Sequence, residues 1–172
     1  MTQIAIDNTR FIFSTNFAGD PKNDRFGDRR RKATVIIPDA AMAKELVKEG
    51  VNVRATKPRE DDDPETFEPE YYVSVLLNYC DRNNMPVKYP PKVYLVSDGQ
   101  PPVLLDEDDV GMLDTLRVGN VNVVLNPYEY DPVEGRKTLY IRVMYVEQNL
   151  EDDPYAARYR NRAQSAEEEL PF

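Results

Sequence analysis

Alternating apolar and polar positions dominate most of this chain, and they predict strands. Thr9 to Phe17 alternates with aromatics at Phe11, Phe13 and Phe17. Arg30 to Ile37 begins basic and ends in Val35-Ile36-Ile37. Val51 to Thr56 sets Val51, Val53 and Ala55 against Asn52, Arg54 and Thr56, the period of two of a half-buried strand. Glu70 to Tyr79 and Lys92 to Val96 read the same way, rich in Tyr, Val and Leu. Two long runs follow, Arg117 to Tyr130 and Arg136 to Glu147, joined by Asp131-Pro132-Val133-Glu134-Gly135 as a hairpin connection. The period changes after Pro38. Asp39 is positioned to cap a short helix over 39–49, Met42, Leu46 and Val47 give it one apolar side, and Gly50 stops it. A second short helix is predicted within 106–116. Residues 57–69 and 80–91 are polar, Pro-containing loops. The result is a mainly β chain with one well-marked helix, the makings of a small barrel or sandwich.

The pattern stops after Gln148. Residues 149–172 are acidic, then dotted with Arg and Tyr, then acidic again. Such a segment buries too little apolar surface to offset its ordering entropy. We therefore expect one folded domain over 1–148 and a flexible acidic tail over 149–172.

Charge changes the picture most. The formal net charge is -9, which alone argues against a polyanion as ligand. The average hides a split. Residues 1–59 hold 12 Lys+Arg and 7 Asp+Glu, net +5; the remaining 10 and 24 give residues 60–172 a net of -14. Lys22, Arg25, Arg29, Arg30, Arg31 and Lys32 fall within eleven residues. They belong to a loop with Gly19, Pro21 and Gly27 and an aromatic tip, Phe26. Alternation also lines up polar sides: Arg30, Lys32 and Thr34; Asn52, Arg54 and Thr56; Tyr72 and Ser74; Lys92 and Tyr94; Asn122, Asn126 and Tyr128; Tyr140 and Arg142. If these sides meet, the surface is basic and studded with tyrosine. Single-stranded nucleic acid needs that pairing, cations to track phosphates and rings to stack on exposed bases.

The chain ends Glu167-Glu168-Glu169-Leu170-Pro171-Phe172. An acidic end alone usually serves solubility. An apolar terminus can instead fill a partner's pocket while a cation holds its carboxylate. This ending resembles the acidic tip of bacterial and phage single-stranded DNA-binding proteins, in which acids precede an Ile-Pro-Phe-type terminus. The body shows a matching resemblance. Asn16-Phe17-x-Gly19, Arg31-Lys32-Ala33-Thr34-Val35-Ile36-Ile37-Pro38-Asp39, Asn126-Pro127-Tyr128-Glu129-Tyr130 and Leu139 to Val146 look like a family of phage-encoded OB-fold single-stranded DNA-binding proteins. That resemblance implies a partly open five-stranded OB-like barrel with extra strands and long loops. It also implies DNA binding in replication, recombination or repair, replication or recombination proteins recruited by the tail, and no catalysis.

Candidate DNA-binding residues are then Lys22, Arg25, Phe26, Arg29, Arg30, Arg31, Lys32, Arg54, Tyr72, Lys92, Tyr94, Tyr128, Tyr140 and Arg142. Candidate partner-binding residues are Glu167 to Phe172. The tail, spanning roughly 25 Å as a ~20-residue coil, is expected to reach its own domain and compete with phosphate. A homo-oligomer is compatible with all of this.

Other functions find less support. The chain has no His, the usual general base near neutral pH. Cys80 is the lone cysteine, so no internal disulfide or multi-cysteine metal site is expected; separately, we expect no cofactor. The acid clusters at 61–63 and 106–109 would be the ligands of a Mg²⁺-dependent nuclease, but they sit in loops and at a helix start, where acids are favoured anyway. An acidic protein-binding module or DNA mimic suits the net charge but not the basic bunch at 22–32. A structural virion protein is a further rival. No apolar run approaches the ~20 residues of a membrane helix, and Met1 to Asp7 lacks signal-peptide character. We expect no membrane partner and a cytoplasmic protein, in the host cytoplasm if phage-encoded.

Overall fold

A computed structural model describes residues 3–23, 27, 29–81 and 83–148. Eight strands and one α-helix occur among them: β1 (Ile4–Thr9), β2 (Arg31–Ile37), α1 (Ala40–Lys48), β3 (Arg54–Ala55), β4 (Tyr71–Leu77), β5 (Lys92–Val96), β6 (Val103–Leu105), β7 (Val118–Asp131) and β8 (Arg136–Gln148). Short 3-10 turns lie at Pro21–Asn23 and Val110–Thr115.

β1, β7, β8, β4 and β2 stand side by side in that order. All these pairs are antiparallel except β4 with β8, which run parallel at Val75↔Leu139 and Leu76↔Tyr140. The chain after β1 then swings onto β2 through isolated bridges at Phe11↔Val35 and Asn16↔Lys32. Five strands thus form a ring whose last seam is stitched at two points, the partly open, OB-like barrel expected. β8 is long enough to serve two neighbours. Beyond β4 it pairs in parallel with β5, which carries β6 on its far edge.

The barrel interior follows directly from alternation. Ala33, Val35 and Ile37 of β2, Val73, Val75 and Leu77 of β4, Val121, Val123 and Leu125 of β7, and Leu139 and Ile141 of β8 all point inward and are buried. Each Val, Leu or Ile among them contributes roughly 1.5–3 kcal/mol. Phe17, fully buried, meets Phe11 edge-on at 5.4 Å. α1 begins where predicted, with the Asp39 carboxylate accepting from Ala41 N. It stops at Gly50, whose φ of +96° suits glycine. There the chain touches the β7–β8 hairpin: Lys137 N donates to Gly50 O at 2.9 Å.

Two sequence expectations are corrected. The strand predicted over 9–17 is instead β1 over Ile4–Thr9 followed by an irregular stretch. Asn8 and Phe13 adopt φ of +54° and +65°, which break extended backbone, and Phe13 ends up exposed. The run 51–56 shrinks to one bridge at Val51 and the two-residue β3. The short helix expected within 106–116 is present as a 3-10 helix over Val110–Thr115.

Candidate nucleic-acid interface

The outward sides of β2, β4 and β8 build a trough from two adjoining hollows. One encloses about 530 Å³ and is lined by Arg30, Lys32, Asn52, Ser74, Tyr130, Lys137 and Thr138 among others. The other encloses about 540 Å³, with Arg30, Asn78, Asp81, Tyr89, Asn126, Tyr140 and Arg142 in its walls. Arg30 lines both. Together the walls carry four cations, Arg30, Lys32, Lys137 and Arg142, against one acid, Asp81. The negative net charge therefore resides elsewhere, and the trough presents a positive field to a polyanion.

Tyrosines follow β8 along the same surface. Tyr128 meets Tyr140 edge-on at 6.2 Å, and Tyr94 stacks on Tyr145 at 4.6 Å with the rings 13° apart. Between these pairs Arg142 lies 5.8 Å from the Tyr89 ring, and Lys88 lies 5.4 Å from it on another approach. A bulge explains how both pairs reach one face. Val124 pairs with Val143 but Leu125 with Ile141, so Arg142 is an extra residue in β8. The phase of alternation flips there. Tyr140 and Tyr145, an odd number of residues apart, both point outward, while Ile141, Met144 and Val146 stay buried.

The structure distributes the sequence candidates unevenly. Arg30, Lys32, Tyr140 and Arg142 converge in the trough. Tyr128, Tyr94 and Lys92 extend it along β7, β8 and β5. Tyr72 lies on the outward side of β4 with Phe13 edge-on at 5.2 Å. Arg54 pairs opposite Tyr72 from β3 and lines a separate apolar hollow beside α1. Lys22 and Arg29 are exposed in the loop before β2. Arg25, Phe26 and residues 167–172 lie outside the described residues.

Arg31 stands apart from its basic neighbours. Alternation turns it to the opposite side of β2 from Lys32. Its Nη1 donates to Phe17 O at 2.7 Å, its guanidinium lies 5.5 Å from the Tyr79 ring, and Glu107 is 3.8 Å away. It fastens the basic loop to the barrel end. Burial pushes the Tyr79 hydroxyl above its ordinary range, an effect opposed by Arg31 and reinforced by Glu107 and Asp106. The same segment is held from below. The Asp114 carboxylate accepts from Thr15 Oγ1, Phe17 N and Ala18 N at 2.7–3.0 Å. The buried Asn16 side chain exchanges hydrogen bonds with the Asp20 backbone.

Sequence reasoning missed Tyr89, Tyr130, Lys137 and Tyr145. Simple alternation assigns Tyr145 to the face opposite Tyr140, and only the bulge reverses it. Tyr89 sits in a Pro-flanked loop, where Lys88-Tyr89 was the available signal.

Among the described residues, no group of three or more His, Cys, Asp or Glu is placed to hold a metal ion, and no helix is long and apolar enough to cross a membrane. Among curated proteins no sequence matches this chain. One solved structure similar to it is gp2.5, a single-stranded DNA-binding protein encoded by bacteriophage T7, with a TM-score of 0.40, 14% identity, and coverage of 88% of this chain and 92% of that one. A family model described as "Putative phage ssDNA-binding domain" matches residues 1–170. With all but the last two residues matched, the chain belongs to this family of phage single-stranded DNA-binding domains.

Proposed function

We propose that the chain holds single-stranded DNA along the β2–β4–β8 trough, largely independently of sequence, during phage replication, recombination or repair. The observation that carries this reading is the trough itself, with four cations against one acid and tyrosines continuing along β8. Arg30, Lys32, Lys137 and Arg142 neutralise phosphates. Tyr140, Tyr128 and the Tyr94–Tyr145 pair supply ring faces and edges for bases, each stacked base adding roughly 1–3 kcal/mol. Nothing in this reading requires a bond to be made or broken, so the role is protective and organisational rather than catalytic.

The acidic tail completes the proposal. Glu167, Glu168 and Glu169 compete with phosphate for the trough, and occupation by DNA frees Leu170-Pro171-Phe172 to engage replication or recombination proteins. Fluorescence anisotropy with a labelled single-stranded oligonucleotide tests both parts. Tyr140→Ala should weaken binding at least about fivefold, and replacing the three glutamates by glutamine in the full chain should tighten it. Unchanged affinity for Tyr140→Ala refutes the trough assignment; weaker binding after neutralising the tail refutes competition.

A further inference from the structure

The hollow at the β8 bulge has features that a plain phosphate track does not need. Its volume of about 540 Å³ lies within the ~300–1,000 Å³ of small-ligand sites, roomy enough for a base with its sugar. Its walls mix rings with base-reading chemistry. Tyr140 and Tyr89, the latter exposed on its loop, both line it. The bulge brings Arg142 into the same lining, over the Tyr89 ring, and bulges commonly re-aim a side chain at a functional position. Asn78 ends the outward row of β4, and Asn126 faces across from Tyr140 on β7. Among the described residues, the Asn78 and Asn126 amides and the Arg142 guanidinium have no hydrogen-bond partner. Asp81 closes the set. Its Oδ1 is engaged by Asn83 N and Met85 N at 2.9 and 3.0 Å, while Oδ2 is not part of that turn.

We infer that this hollow takes one nucleobase out of the bound strand and favours guanine. The inference rests on the proposed function, because it assumes that DNA follows the trough. A guanidinium offers only donors, in a rigid fork. Guanine presents adjacent acceptors, O6 and N7, to such a fork. Its opposite edge carries donors, which a carboxylate accepts. Adenine and cytosine place an exocyclic amine where Arg142 needs an acceptor, and thymine lacks the adjacent pair. Tyr140 and Tyr89 supply the stacking faces, and the two amides adapt to the sugar and the remaining edge. Sequence independence elsewhere along the trough is compatible with one position that reads a base.

The test uses the full chain and a 12-nucleotide thymidine strand whose central residue is dG, dA, dC or dT, followed by anisotropy at fixed salt. The dG strand should bind at least about fivefold more tightly than the other three. With 7-deazaguanine, which lacks the N7 acceptor, the advantage should collapse in the unaltered protein. In Arg142→Lys, which keeps the charge and loses the fork, the ratio of dG to dT affinity should approach one, whatever the absolute affinities. Lys32→Met should weaken both strands alike and keep the ratio. Equal affinities for all four strands overturn the base pocket and leave the trough intact. A dG advantage that survives both 7-deazaguanine and Arg142→Lys overturns the assignment to this hollow. Failure to bind any strand overturns the proposed function itself.

Discussion

Asp114→Ala isolates the anchor that positions the basic loop. One carboxylate on the 3-10 turn accepts Thr15 Oγ1 at 2.7 Å, Phe17 N at 2.8 Å and Ala18 N at 3.0 Å. Hydrogen bonds to a charged group are worth about 1.5–3 kcal/mol each net when well buried. Asp114 is half-buried and Ala18 N is open to water, so the three do not add in full. Phe17 is fully buried, so losing the partner of its N–H is costly. A loss of about 2–4 kcal/mol follows. In urea, with a slope of about 2 kcal/mol/M, the unfolding midpoint should fall by roughly 1–2 M. Asp114→Asn keeps an acceptor but turns a donor toward backbone N–H groups, and should lie between. A loss under about 0.5 kcal/mol for Asp114→Ala, measured by equilibrium urea unfolding, refutes the anchor.

Further outcomes are expected elsewhere. Arg31→Met should lower stability by about 1–2 kcal/mol with little change in DNA affinity, and Lys32→Met should do the reverse; equal effects on both properties would contradict the division of labour between the two sides of β2. Gly50→Ala places a Cβ 1.7 Å from Gly135 O at a φ of +96°, so thermal unfolding should register a loss of about 3 kcal/mol or more, and a neutral result would deny the close approach of α1 to the hairpin. Tyr79→Phe removes a buried hydroxyl that has no hydrogen-bond partner among the described residues and should be neutral or stabilising by up to about 1 kcal/mol; a clear loss of stability would mean that the hydroxyl is satisfied.

Much of this arrangement is legible in the sequence because local and tertiary preferences agree. Asp39 and Gly50 bracket α1 from sequence and in the fold alike, and the runs that became β4 and β7 alternate against one core. Legibility fails where a single backbone torsion overrides the pattern. Phe11, Phe13 and Phe17 alternate well, yet the positive φ of Phe13 throws its ring outward and ends the strand reading. One extra residue at Arg142 moves Tyr145 onto the face of Tyr140, a switch without a compositional mark. The basic bunch reads as a unit in sequence, but β2 sends Arg30 and Lys32 to the trough and Arg31 to the barrel end. Lys137 and Tyr130 join Lys32 only because the β7–β8 hairpin folds back beside α1, a contact of long sequence separation.

The salt dependence of single-strand affinity tests the central claim most directly. Each phosphate neutralised on a single strand contributes about -0.7 to the slope of log K against log salt concentration. Four contacts, from Arg30, Lys32, Lys137 and Arg142, predict a slope of about -2.8, reduced by about 0.7 in Lys32→Met and again in Lys137→Met, with duplex of the same length binding more weakly. A slope near zero, a slope unmoved by either substitution, or a preference for duplex would contradict the account.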